Sequence, residues 1–248
     1  MMAAVDQKSV RARSLGERID RIDWNKVASD LNSDGFAILR GLLSPDECRE
    51  ITQSFDNEIA FRKTVVMERY RFGSGVYKYW DYPLPDVVQS LRESFYSGLA
   101  PTANEWMDQL GIDRSFPGRL AEFQGLCHEN GQEKPTPLIL RYGQGGYNTL
   151  HQDLYGDTYF PIQAACFLSE LGADYTGGEF VLMQQTPRAQ SRTIVLTPDI
   201  GDVMIFPTNF RPVTGARGYY RSVMKHGVSE VHAGQRHTMG IIFHDALS

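Results

Sequence analysis

At 248 residues and 28.0 kDa the chain has the length of one ordinary domain with an elaboration. A make-up of 42% hydrophobic and 22% charged residues, with 23 Gly and 12 Pro, is that of a globular protein and excludes collagen, coiled coil and disorder. The net charge of −5 argues against a protein that coats nucleic acid non-specifically, but says nothing of a local basic patch. No apolar run reaches the roughly 18 residues of a membrane span, and the first residues lack the apolar centre of a signal peptide. Cys48, Cys127 and Cys166 are too few and too scattered for a disulfide framework or a zinc cage. A reducing, cytoplasmic setting without a membrane partner is therefore expected.

Residues 1–22 carry five basic side chains and little apolar material, and read as a loosely held arm. From residue 23 the pattern sharpens: DWNKVASDL reads as a helix and GFAILRG (35–41) as a buried strand bounded by glycines. Ser44, Pro45 and Glu47 provide an N-cap, a first-turn proline and a third-position acid, a strong helix start. A long helical stretch begins at about Asp86, with Pro101 a point of interruption. Beyond residue 134 the texture changes to short β-type runs: PLILRYG, FPIQAACFLS, GGEFVLMQQ, RTIVLTP, GDVMIFP, YYRSVMKHGVSEV and RHTMGIIFHD. Helical support over 23–134 followed by strands over 135–248 predicts an α+β chain, a β-barrel core with helices packed on one sheet.

The chemistry concentrates in few residues. LRYGQGGYNTLHQD (140–153) ends in His151-Gln152-Asp153, the one H-x-D or H-x-E of the chain. In an extended segment residues i and i+2 point to the same side, so imidazole and carboxylate project together. A further β-type run carries His226-Gly227-Val228, and Arg236 follows ten residues after His226. Arg236 and Thr238 then share one face of the last strand, with Met239, Ile241 and Phe243 on the other. Two His and one Asp with open coordination positions is the facial triad of non-haem Fe(II) oxygenases, and an arginine fork nearby suits a distal carboxylate.

At this point the residues resemble a family, the Fe(II)/2-oxoglutarate-dependent dioxygenases with a double-stranded β-helix (jelly-roll, cupin-like) core. The likeness covers residues 138–245: the H-x-D, GGEF (177–180), GDVMIF (201–206), the distal HGV and the basic residue beyond it. RYGQGGYNTLHQD with FPIQAACFLS is similar to AlkB-type demethylases of alkylated bases, whereas the distal half is closer to prolyl hydroxylases. GxGVYKYWDYPLP (73–85), TPRAQSR (186–192) and RHTMGIIFHDA (236–246) are most similar to a bacterial and fungal oxygenase family labelled as acting on methylated, damaged DNA. The resemblance implies that His151, Asp153 and His226 hold Fe(II). It implies further that 2-oxoglutarate and O2 are co-substrates, with ascorbate as a helpful reductant in vitro. Arg236 would take the far carboxylate of 2-oxoglutarate, with Tyr142 and Thr238 as hydrogen-bond partners. His232 is the rival for the distal ligand, but the residues around it match the family less well. His237 and His244 read as structural or packing residues and His128 as a loop residue.

Two segments bear on the substrate. Residues 61–82 hold five basic and two acidic residues among aromatics, including Tyr77 and Lys78. They read either as a nucleic-acid groove or lid, or as a two-stranded ribbon closing the barrel mouth. Residues 207–227 carry Arg211, Arg217, Arg221 and Lys225 with no acid and lead into His226, so they are expected to border the site. Tyr155, two residues past Asp153, completes the expected substrate contacts. The expected function is C–H hydroxylation, with damaged nucleic-acid bases as substrate. The alternatives are a prolyl residue, amino acid or other small molecule, or a cupin-like metal-binding protein without turnover.

Overall fold

The computed structural model describes residues 13–248. Part of the expected loose arm is ordered. Helix α1 (Leu15–Ile19) opens on a capping box formed by Ser14 and Glu17, and buries Ile19. Arg18 binds the Leu42 carbonyl and the Glu47 carboxylate. The arm reading overlooked that cap because the apolar anchors after it, Leu15, Ile19 and Ile22, are few among many charges; residues 1–12 lie outside the described residues. Helix α2 (Trp24–Ser33) starts from an Asp23 side chain that accepts from the Asn25 and Lys26 amides. Strand β1 (Ala37–Leu39) follows, and then helix α3 (Pro45–Gln53), started by the Ser44/Glu47 capping box and Pro45.

Strands β2 (Phe61–Val66), β3 (Gly73–Ser74) and β4 (Val76–Trp80) precede helices α4 (Asp86–Gln109) and α5 (Leu120–Glu129). Helix α4 runs unbroken through Pro101. Proline withdraws one donor from the helix, and here Pro101 and Ser97, whose carbonyl loses that donor, are both exposed, so water can replace the bond.

The remaining strands are β5 (Leu138–Tyr142), β6 (Tyr147–His151), β7 (Ile162–Phe167), β8 (Tyr175–Gly177), β9 (Phe180–Gln185) and β10 (Arg192–Leu196). After them come β11 (Val203–Pro207), β12 (Phe210–Gly215), β13 (Gly218–Val228), β14 (Val231–Gly234) and β15 (Arg236–Ile241). Every pairing among these strands is antiparallel, and two sheets face each other. One runs β1-β11-β7-β15-β5-β4-β2, the other β10-β9-β13-β6-β3 with β12 added on β13, and β14 and β8 form a small separate pair. The segment 61–80 joins the two sheets, since β2 and β4 extend the first while β3 pairs with β6 in the second.

The helices cover the outer face of the seven-stranded sheet. Leu91, Phe95, Leu99 and Trp106 of α4 pack with Ile139, Ile162, Ala164, Met239 and Ile241 in the largest apolar cluster. The other face turns inward, where Phe167, Phe180, Leu182, Phe206 and Met224 fill one end of the sandwich. Alternation along β15 divides these roles: Met239 and Ile241 go to the helices, Arg236 and Thr238 to the interior. His237 lies on the helix side with its ring against Phe55.

One buried ion pair locks the helical layer to the end of the last strand. Arg92 of α4 is wholly enclosed and donates to the carbonyls of Ile242 and Phe243, to Tyr82 Oη and to Asp245. Replacing Arg92 by Met strands the Asp245 carboxylate in the interior, and equilibrium urea unfolding should show a loss of about 3–5 kcal/mol. Adding Asp245→Leu to that variant should recover part of the loss, which an effect of packing alone would not allow.

Candidate active site

Three of the expected residues meet inside the sandwich. His151 ends β6, Asp153 lies just past the strand, and His226 sits on β13 directly across from His151. One donor atom from each lies within 4.8 Å of the others. Asp153 stands between the imidazoles, with His151 Nε2 3.5 Å from Oδ1 and His226 Nε2 3.2 Å from Oδ2. The pairing shifts register between His226 and Val228, an irregularity that re-aims side chains on the bulged strand. Asn148 and His151 of β6 consequently both line the interior cavity. Gly227 permits this approach, because a Cβ there would stand 2.7 Å from the Asn148 carbonyl oxygen.

Protonation chemistry suits this cluster to a cation. His151 Nδ1 lies 2.8 Å from the Thr149 carbonyl, which accepts only, so that nitrogen carries the hydrogen and Nε2 presents a lone pair. Burial alone would raise the Asp153 carboxyl, but the imidazoles of His226 and His151 outweigh it and hold the group well below the ordinary range. Burial and the neighbouring His151 depress His226, whose Nδ1 has no partner. An ionised carboxylate and two imidazole nitrogens thus converge on one point, and a divalent cation there satisfies all three. The carboxylate is oriented by Tyr155, whose hydroxyl donates to Oδ1 at 2.9 Å and in turn accepts from Tyr79 at 3.1 Å. The Gln152 amide, between His151 and Asp153 in the chain, donates to the carbonyls of Asn209 and Met224, both at 2.8 Å.

The cluster opens on a cavity of about 290 Å³ whose wall includes Tyr77, Leu138, Leu140, Phe206, Gln163 and Arg236. Arg236 is 1% exposed. Its one hydrogen bond among the described residues is a 3.4 Å contact to Thr238 Oγ1, and its Nε has no partner. The ring faces of Phe167, Tyr142 and Tyr175 surround the guanidinium at 5.5–5.8 Å. Gly178 makes room for it: at φ +63° it carries no Cβ, and one would lie 2.9 Å from Arg236 Cδ. A buried cation so sparsely bonded fits an anionic ligand. Tyr142 is fully buried beside it and accepts from Asn148 Nδ2, which leaves the phenolic hydrogen free to donate.

Several expected contacts lie elsewhere. Lys78 follows Tyr77 by one residue and so faces the opposite side of the sheet, where Nζ binds the Phe55 carbonyl and Glu58. Arg211 is a buried brace that donates to the Asn32 and Ser33 carbonyls at the end of α2. Arg217 occupies the exposed turn between β12 and β13, and Arg221 lies over the Phe210 ring. Arg221 lies five strand positions before His226, about 17 Å of chain, and does not line the cavity. His232 is exposed on β14, and His128 pairs with Asp245 at 3.1 Å. Tyr79, Asn148, Gln163 and Gly178 lie within the family-like stretches but have no role assigned there, and only the fold reveals that they surround the site.

Comparison with known proteins gives the same direction. Residues 75–246 match the model of the Oxygenase-NA family, described as an oxygenase catalysing oxidative methylation of damaged DNA. An uncharacterized protein of Mycobacterium tuberculosis strain H37Rv is 43% identical over 164 residues, covering 66% of this chain and 70% of that protein. Among solved structures, a prolyl hydroxylase of Trichoplax adhaerens, in complex with a hypoxia-inducible-factor peptide, superposes with a TM-score of 0.55 at 15% identity over 95% of this chain and 94% of that one. A Pseudomonas putida prolyl-4-hydroxylase gives 0.52 at 16% identity, covering 90% and 98%. The solved structures show the shared fold, and the match over residues 75–246 places the chain in the Oxygenase-NA family.

Proposed function

We propose that the protein hydroxylates a methyl carbon on a methylated nucleic-acid base. His151, Asp153 and His226 hold the Fe(II), and Arg236 anchors 2-oxoglutarate. The observation that carries this reading is the enclosed, sparsely bonded Arg236 guanidinium in the same cavity as the three converging donors. When bound, Fe(II) with O2 and 2-oxoglutarate supplies the C–H oxidant: the co-substrate leaves as succinate and CO2, one oxygen atom enters succinate and the other the substrate carbon.

The protein supplies the rest. Arg236 pairs with the far carboxylate through its fork, while Thr238 and the free Tyr142 hydroxyl hydrogen-bond the same oxygens. Tyr155 and Tyr79 keep the Asp153 carboxylate turned to its metal-facing orientation. Phe180 and Phe206 pack on the His226 ring and exclude water from that side. An N-methyl group hydroxylated in this setting gives a carbinolamine, whose C–N bond breaks to release formaldehyde and restore the N–H.

The description of the matched family supports the nucleic-acid substrate. Hydroxylation of a prolyl residue, amino acid or other small molecule is the second reading. One observation favours it: Arg236 is the sole lysine or arginine among the described cavity-lining residues, and the 290 Å³ volume suits a small ligand.

Removing His151 or Asp153 should abolish both Co(II) binding, followed by its visible absorption, and 2-oxoglutarate-dependent succinate formation. Arg236→Met should weaken 2-oxoglutarate binding by roughly 30-fold or more, while the ligand-free protein melts at a higher temperature because a buried unpaired charge is gone. Incubation with methylated oligonucleotides should release formaldehyde in step with succinate. A one-oxygen mass gain on a peptide or metabolite, with no formaldehyde from any oligonucleotide, transfers the assignment to the second reading.

A further inference from the structure

The rim of the active-site cavity carries an aromatic pair that the iron chemistry does not use. Tyr70 and Phe72 are 57% and 45% exposed, yet their rings stack on each other at 5.5 Å between centroids and 19° between planes. Phe72 also lines the cavity that holds His151 and Asp153. Exposed rings on a mobile loop would carry little meaning, but this turn is tied down. The Phe72 carbonyl accepts from both the amide and the hydroxyl of Thr149, each at 2.9 Å, and its amide donates to the Met67 carbonyl. Glu68 accepts from the Ser74 hydroxyl and the Gly75 amide. Gly73 lies so close to β6 that a Cβ would stand 2.2 Å from the Tyr147 carbonyl oxygen. The pair is thereby fixed to the strand that ends in His151.

Two arginines alternate with the aromatic residues along the turn, in the order Arg69-Tyr70-Arg71-Phe72. Arg69 and Arg71 are both exposed, and Arg71 holds a left-handed backbone at φ 61°, unusual for a residue with a side chain. A rigid, solvent-facing aromatic stack with an exposed cationic residue next to each ring in the chain matches the two parts of an unpaired nucleotide: a planar ring to stack and a phosphate to neutralise. A duplex suits this rim less well, because its bases present only their edges.

We propose that Tyr70 and Phe72 form a stacking shelf for an unpaired base of single-stranded nucleic acid, with Arg69 and Arg71 on the neighbouring phosphates, beside the base held in the cavity. This rests on the nucleic-acid reading of the site and narrows it to single strands or locally opened ones. Stacking of this kind tolerates any base, so the shelf sets strand state and not sequence.

The test is fluorescence anisotropy of labelled oligo-dT with the full-length protein, across a salt series. Tyr70→Ala/Phe72→Ala should weaken binding about tenfold or more, with an unchanged circular-dichroism melt, and Tyr70→Trp/Phe72→Trp should bind as the unaltered protein does. Arg69→Ala/Arg71→Ala should lower the slope of log K against log salt by about 1.4, the value for two single-strand phosphates. If the unaltered protein binds oligo-dT and the aromatic double variant binds it equally, the shelf is overturned while the nucleic-acid reading stands. If the unaltered protein binds no oligonucleotide at any salt, both fall. Shelf-dependent binding of a proline-rich peptide in place of oligo-dT overturns the proposal in favour of a peptide substrate.

Discussion

Everything at the site depends on the course of β13. This eleven-residue strand pairs with β9 on one side and β6 on the other, and so holds His226 across from His151 although the two are far apart in sequence. Both histidines therefore sit on strands whose positions are fixed by ladders of backbone hydrogen bonds, a more exacting support than any loop. The irregular register beyond His226 and the bare Gly227 are what the close approach requires.

From that centre the interior is graded in polarity. Around the helix-facing side of the seven-stranded sheet the packing is almost wholly apolar. Inside the sandwich, apolar residues of both sheets enclose one carboxylate, two imidazoles and one guanidinium. The two charged groups that line the cavity differ in how they are satisfied. Asp153 has two imidazoles and a phenol about it, whereas Arg236 has ring faces, one long hydrogen bond and no carboxylate. Such an arrangement leaves the guanidinium charge uncompensated by the protein around it, and there it favours an anionic ligand.

The legibility of these features in the sequence follows from their physics. His151 and Asp153 could be read together because two-residue periodicity is local, and the same rule separates Arg236 from His237. The capping box of α3 was equally local. Charge density misled: the basic run before His226 lies along a strand long enough to carry Arg217 and Arg221 away from the cavity, and Arg211 serves α2 instead. Lys78 failed by parity, since its neighbour Tyr77 takes the inward direction. Tyr79, Asn148 and Gln163 were invisible because their role arises from register between strands, which no single segment encodes. The glycines of GGEF gained a reason only once Gly178 was seen to clear the path of Arg236.

Gln152 alters how the H-x-D motif should be understood in this chain. Its amide nitrogen has two hydrogens and finds two carbonyl acceptors, Asn209 and Met224, one on each side of the start of the β12–β13 hairpin. A glutamate of the same length would turn lone pairs toward both oxygens, and an asparagine would fall short by one methylene. The middle letter of the motif is thus a crossbar between the turn that carries His151 and Asp153 and the hairpin that leads to His226. Any redesign of this scaffold that treats that position as free removes a side chain that ties the turn after β6 to this hairpin.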